Sequence, residues 1–269
     1  MTPDPDSPPW GVLQALLTWF ASLALLWIVP QLCVLPYVAS HYRGIAATRE
    51  LLFADKTFVT IIVAGFVPAH LLTLALSWAV VTRLGKISAT KVLGWSRSPS
   101  FGILPSVLSA ISLFLVSMVI IYKFGGQETD LDRIVQSSRA AALITAALAV
   151  ATAPLVEEII YRGLLYSAFQ RLIGPVFAVI VVASMFAGLH VLQYWPNAGA
   201  ISAITLLSLV LTVVRARTGR LLPCYVIHLV FNGIQSLIIV FDPYLRVLVN
   251  SWQHRVPTGF IISLLGHLH

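Results

Sequence analysis

Two adjacent carboxylates, two imidazoles and a carboxamide are the residues best able to do chemistry in this 269-residue chain. Between Arg139 and Asp242 the only acids are Glu157 and Glu158, and the only histidines are His190 and His228. All four fall inside long apolar runs, where ionisable groups are costly and point to function. Glu158 and Arg162 are spaced i, i+4, the order that suits an ion pair along one helix face. Glu157 is rotated about 100° from that face and is free to turn toward His190. His228 and Asn232 repeat the i, i+4 spacing, so an imidazole and a carboxamide sit one turn apart, both able to donate to a single oxygen. Phe186, four residues before His190, can wall the cavity or pack on the imidazole. These are the parts of a hydrolytic site. Glu157, aided by His190, takes a proton from water. The water attacks a carbonyl, and His228 and Asn232 hold the resulting oxyanion.

The elements that must position these groups are membrane-spanning helices. A span needs about 20 apolar residues, and seven runs qualify: 11–38, 57–82, 101–122, 141–171, 175–194, 198–214 and 221–241. Pro154 lies in the long fourth run, where a kink or break is expected. A further apolar stretch, 258–268, is too short to cross and reads as interfacial or as a partial span. Gly174-Pro175 is a natural turn between the fourth and fifth runs. A helical hairpin folded there brings Glu157 and His190 to nearly the same depth, roughly 25 Å from the turn. The expectation is an all-α, polytopic transmembrane bundle of about seven to eight helices. It forms a single integral membrane domain over 1–269, with its motifs within about 140–241.

Composition agrees. Hydrophobic residues make up 58% of the chain and charged residues only 10%, against roughly 25% charged in soluble proteins. The net charge of +7 does not signal nucleic-acid binding, because the basic residues stand in the connections between spans, where they meet anionic lipid and set topology. Arg215, Arg217 and Arg220 are counted with that group. Basic residues after the first and second runs must face opposite sides, so orientation is divided. The connection between the fifth and sixth runs has no Lys or Arg, which puts it outside and the sixth-to-seventh connection in the cytoplasm. Cys33 and Cys224 have no metal or disulfide spacing and read as small buried hydrophobes. The first run lacks a basic leader and is too long for a cleaved signal peptide, so it reads as a retained span. His70 has no polar companion nearby in sequence and reads as structural.

Glu157-Glu158-Ile159-Ile160-Tyr161-Arg162, Phe186-Ala187-Gly188-Leu189-His190 and His228-Leu229-Val230-Phe231-Asn232 resemble the EExxxR, FxxxH and HxxxN motifs of the CAAX-processing and bacteriocin-processing (CPBP) membrane peptidases. Order and spacing agree, and Gly163 and Thr218-Gly219-Arg220-Leu221-Leu222-Pro223 are also similar. The resemblance covers roughly 140–241. It implies an intramembrane glutamic endopeptidase like the CAAX prenyl protease type, in a multi-pass protein of a prokaryotic inner membrane. In it Glu157 and His190 activate water and His228 and Asn232 stabilise the transition state, while Glu158, Arg162 and Phe186 support them. The implied substrate is a membrane-associated protein or a lipidated peptide within the bilayer.

Two alternatives accompany this reading. Glu157, His190 and His228 are a ligand set for zinc with an open position for water. No HExxH occurs, however, and the expectation is a site without a cofactor. A transporter, an immunity protein or an inactive scaffold could also carry polar groups at depth, but transporters often show internal repeats and none is visible here.

Overall fold

The fourth apolar run is the one that folds least simply, and the other spans are arranged around it. A computed structural model describes residues 4–253, and among these it contains helices and no strand. Seven helical stretches are long and apolar enough to cross a membrane: Val12–His41, Lys56–Thr82, Ile103–Phe124, Arg139–Ile173, Pro175–Tyr194, Ala198–Thr218 and Leu222–Asp242. These are the seven runs expected from sequence, identical over 175–194 and elsewhere differing by up to four residues at an end. The stretch 258–268 lies outside the described residues.

In chain order the elements are α1 (Val12–His41), α2 (Arg49–Ala54), α3 (Lys56–Ala64), α4 (Phe66–Thr82), α5 (Ala89–Val92), α6 (Ile103–Phe124) and α7 (Asp130–Ser137). They continue with α8 (Arg139–Ala151), α9 (Ala153–Glu157), a π-helical segment (Glu158–Leu165), α10 (Tyr166–Ile173), α11 (Pro175–Tyr194), α12 (Ala198–Thr218) and α13 (Leu222–Gln253). Local chemistry marks the boundaries. Asn197 Oδ1 accepts from the N–H of Ala200 at the start of α12, and Gly219, with φ +64°, ends it in the left-handed conformation that glycine adopts without penalty. Thr129 and Asp132 form a reciprocal capping box on α7.

Asp55 caps α3 by accepting from the N–H groups of Thr57 and Phe58, and it also accepts from the hydroxyls of Tyr37 and Tyr42. Burial acts to raise its carboxyl, but those hydrogen bonds outweigh it and hold the group below the usual carboxylate range. The same bond, with burial and the Asp55 charge, pushes the Tyr42 phenol up to about 12.

The helices pack as α1 on α4, α11 on α12, α6 on both α12 and α13, and α8 on α3 and α13. Large apolar side chains such as Leu13, Trp27, Leu104, Val176 and Leu192 are exposed on the outside of the bundle, where hydrocarbon accepts them. Because lipid is as apolar as leucine, the helices associate through close packing rather than through hydrophobic burial. Gly65 shows this: a Cβ placed there would stand 2.7 Å from Pro30 Cα and 3.2 Å from Cys33 Cβ. Cys33 is exposed and Cys224 is buried, and both are free thiols; the reading as a buried hydrophobe therefore holds for Cys224 alone.

At Gly65 even one added methyl must push the first two spans apart, at a cost of about 1–3 kcal/mol. Gly65→Ala should lower the thermal unfolding midpoint in detergent. Gly188→Ala, where a Cβ meets nothing within 4 Å, should leave it unchanged or raise it.

Candidate active site

The first motif sits where the fourth span leaves α-geometry. α8 ends at Ala151, Thr152 departs from helical dihedrals (φ −122°, ψ −39°), and Pro154 lies in the first turn of α9. Proline is tolerated at a helix start, because its missing N–H has no helical partner there. The break expected at Pro154 is thus displaced two residues, to Thr152, whose hydroxyl meets His70 Nδ1 at 2.6 Å. His70 also lies within electrostatic reach of Glu157.

From Glu158 to Leu165 the chain winds as a π-helix, a rare form found at functional sites. Glu157, the last residue of α9, and Glu158, the first of the π-helix, keep α-helical dihedrals (φ −66°, ψ −44° and φ −65°, ψ −39°), and both acids reach one imidazole. His228 Nδ1 is 2.8 Å from Glu158 Oε1, and its Nε2 is 3.6 Å from Glu157 Oε2. The acids differ in surroundings: the Glu158 side chain is fully buried, whereas Glu157 is 25% exposed.

Glu158 Oε1 also accepts from Arg162 Nη1 at 3.0 Å, the pair expected from the i, i+4 spacing. Arg162 is itself fully buried. Its Nε donates to Thr212 Oγ1 at 3.2 Å, and its Nη2 donates to Ser208 O and Oγ, each at 3.0 Å. The guanidinium lies 4.6 Å from the ring centre of Phe186.

Phe186 connects the remaining groups. Its ring stacks on His190 at 4.4 Å and stands edge-on to His228 at 6.1 Å and to Tyr161 at 5.0 Å. His190 Nδ1 lies 2.8 Å from the carbonyl of Phe186. A carbonyl only accepts, so Nδ1 carries a hydrogen, and in the neutral imidazole Nε2 holds the lone pair. Among the described residues no hydrogen bond or ion pair joins His190 to Glu157. The partner at Glu157 is His228, and His190 joins the group through the Phe186 ring. Asn232 Nδ2 donates to the carbonyl of Ala149 at 3.0 Å, which leaves the second hydrogen of its carboxamide. It borders a cavity of about 320 Å³ that Phe114, Ser117, Ile204 and Phe231 also line.

No group of three or more His, Cys, Asp or Glu among the described residues is arranged to hold a metal ion, and Glu157, His190 and His228 are not brought together in that way.

Three features escaped sequence reasoning. Ser208 and Thr212 looked like ordinary polar residues of a span. Arg215, counted with the connecting loop, is 1% exposed. Trp10, also buried, reaches the first motif from the N-terminal side. One signal was present: Ser208, Thr212 and Arg215 recur at helical spacing on one face of α12.

Residues 139–234 match a family model, Rce1-like: type II CAAX prenyl endopeptidase Rce1-like. No curated protein and no solved structure matches the chain. The matched segment begins at α8, ends in α13 and contains all three motifs.

Removing one member of a buried ion pair leaves the other charge uncompensated, at a cost of about 3–5 kcal/mol. Arg162→Ala should therefore lower the unfolding free energy by that amount in detergent. A surface arginine such as Arg49, paired with Asp130 while 62% exposed, should lose less than about 1 kcal/mol on the same change.

Proposed function

We propose that the chain, whose residues 139–234 match a type II CAAX prenyl endopeptidase model, is an intramembrane glutamic endopeptidase whose water is activated by Glu157. The observation that carries this reading is the asymmetry between the acids. Glu158 is sealed and committed to Arg162 and His228, while Glu157 keeps partial exposure beside His228 Nε2. Only Glu157 has room to hold a water.

In the proposed reaction Glu157 accepts one proton from that water, and its oxygen bonds to the carbonyl carbon of the scissile peptide. His190, with its Nε2 lone pair free, orients the water or shares its proton. The carbonyl oxygen becomes an oxyanion, which takes hydrogen bonds from the free N–H of Asn232 and from His228. To donate from Nε2 while Nδ1–H serves Glu158, His228 must be the imidazolium. The C–N bond then breaks, and the proton held by Glu157 passes to the leaving amine. Glu158 and Arg162 hold His228, and Phe186 holds His190. The substrate is a membrane-associated protein or a lipidated peptide, cut in a bilayer that we take to be a prokaryotic inner membrane. Water activation needs no metal in this scheme. A zinc-dependent variant on Glu157, His190 and His228 predicts stoichiometric zinc in purified protein, lost together with activity.

The test compares membrane proteomes with and without the gene to find a processed substrate, then assays variants on it. Glu157→Gln and His190→Ala should lower turnover by about 10²–10⁴-fold, the usual contribution of acid–base catalysis. Asn232→Ala should cost about 10²–10³-fold, as for one oxyanion donor. Full processing by folded Glu157→Gln would leave a non-catalytic scaffold as the better reading.

A further inference from the structure

A π-helix cannot pass into an α-helix without passing over a carbonyl. The last π-type bond runs from the N–H of Tyr166 to the carbonyl of Tyr161. With α10 beginning at Tyr166, α-spacing from the next residue onward passes over the carbonyl of Arg162 and leaves it without a helical donor. An unpaired buried carbonyl is costly anywhere and more so at membrane depth. The vacant acceptor is filled from another span: Arg215 Nε donates to Arg162 O at 3.2 Å. Two residues further on, Trp10 Nε1 donates to Leu164 O at 3.1 Å.

Both donors are themselves fixed. Arg215 is 1% exposed. Its Nη2 donates to Ser167 Oγ at 3.2 Å and to Pro5 O at 2.9 Å, its Nη1 is 3.7 Å from Asp6 Oδ1, and it lies over the Tyr166 ring at 5.3 Å. Ser167 in turn donates to Gly163 O. Trp10 is 2% exposed and packs with Leu164, Leu165 and Tyr166. Neither residue touches Glu157, Glu158 or His228.

We infer that Arg215 and Trp10 are positioning residues for the reaction: by capping carbonyls in the later part of the π-segment they hold its wide winding, and that winding sets the rotation of Glu157 and Glu158, at its start, toward the His228 imidazole. The inference rests on the endopeptidase reading for its kinetic consequence but not for its structural one. If the caps are lost, the segment can tighten to α-spacing, and Glu157 and Glu158 rotate together relative to α10 and away from His228. The Glu158–Arg162 pair survives, since i, i+4 residues meet in either winding. Both contacts with His228 are lost while the ion pair remains.

Two conservative variants isolate the caps. Trp10→Phe keeps the buried ring and removes only the donor; Arg215→Lys keeps the charge and removes the guanidinium fork. Tyr42→Phe, which removes a buried hydrogen bond to Asp55 at the far end of the bundle, is the control for general destabilisation. The expected kinetic result is a fall in kcat of about tenfold to a hundredfold in each cap variant, the range caused by small misplacements, with KM unchanged. The same substitutions made on Glu158→Gln should cost no more, because nothing remains to be aligned. Additive losses in that cycle, or a fall matched by Tyr42→Phe at equal loss of thermal midpoint, would overturn the inference.

A second readout is independent of activity. With carbon-13-labelled glutamate, the carboxylate stretch assigned to Glu158 by its Gln variant should shift in both cap variants and stay in place in Tyr42→Phe. An unmoved band would also overturn the inference. If Glu157→Gln proves fully active while the band shifts, the endopeptidase reading fails and the positioning role stands.

Discussion

A carboxylate and a guanidinium with no exposed surface, both at bilayer depth, set the terms for the rest of this bundle. Neither Glu158 nor Arg162 can borrow hydrogen bonds from water, so the protein has to supply them. The arginine uses Ser208 and Thr212 on α12, and the glutamate uses His228 on α13. The pair therefore fixes the rotation and depth of two further helices. Such a pair is weak evidence for stability, since an apolar substitute of the same shape is often as good. Its value here lies in register: α12 and α13 can satisfy it in one arrangement only.

From that register follows the contrast between the two glutamates. Adjacent acids on a regular helix diverge, and one would be expected to face lipid or another helix. Here both reach the same ring at the point where α9 passes into the π-segment, one sealed and one partly accessible. Phe186 completes the arrangement by touching the arginine, both histidines and Tyr161 at once, so a single apolar side chain transmits the position of the sealed pair to His190.

Much of this was legible in the sequence, for physical reasons that differ by element. The seven spans follow from lipid demanding long apolar runs, and the Glu158–Arg162 pair follows from spacing that survives a change of helix type. Among the described residues Glu157 and His190 share no hydrogen bond or ion pair. Equal distance from the Gly174-Pro175 turn constrains depth, but rotation about the helix axis is set by the π-segment, which leaves no periodicity signal in eight residues. Arg215 was misread because a basic residue near a span's end ordinarily snorkels to the interface. Here the N-terminal segment lies over it, and contacts between residues so distant in sequence leave no trace in local composition. The shift of the break from Pro154 to Thr152 is a milder case of the same kind, decided by the partner that His70 offers.

The segment before α1 has a consequence for how the chain is made. Pro5, Asp6, Pro8, Pro9 and Trp10 meet Arg83, Leu164, Gln170, Arg171 and Arg215. These residues are made well before their last partner, Arg215, near the end of the sixth span. During synthesis they must wait, uncommitted, while most of the bundle is inserted. The π-segment cannot be braced until that late arrival, so the nascent chain enters the membrane with its two glutamates and His228 not yet held together.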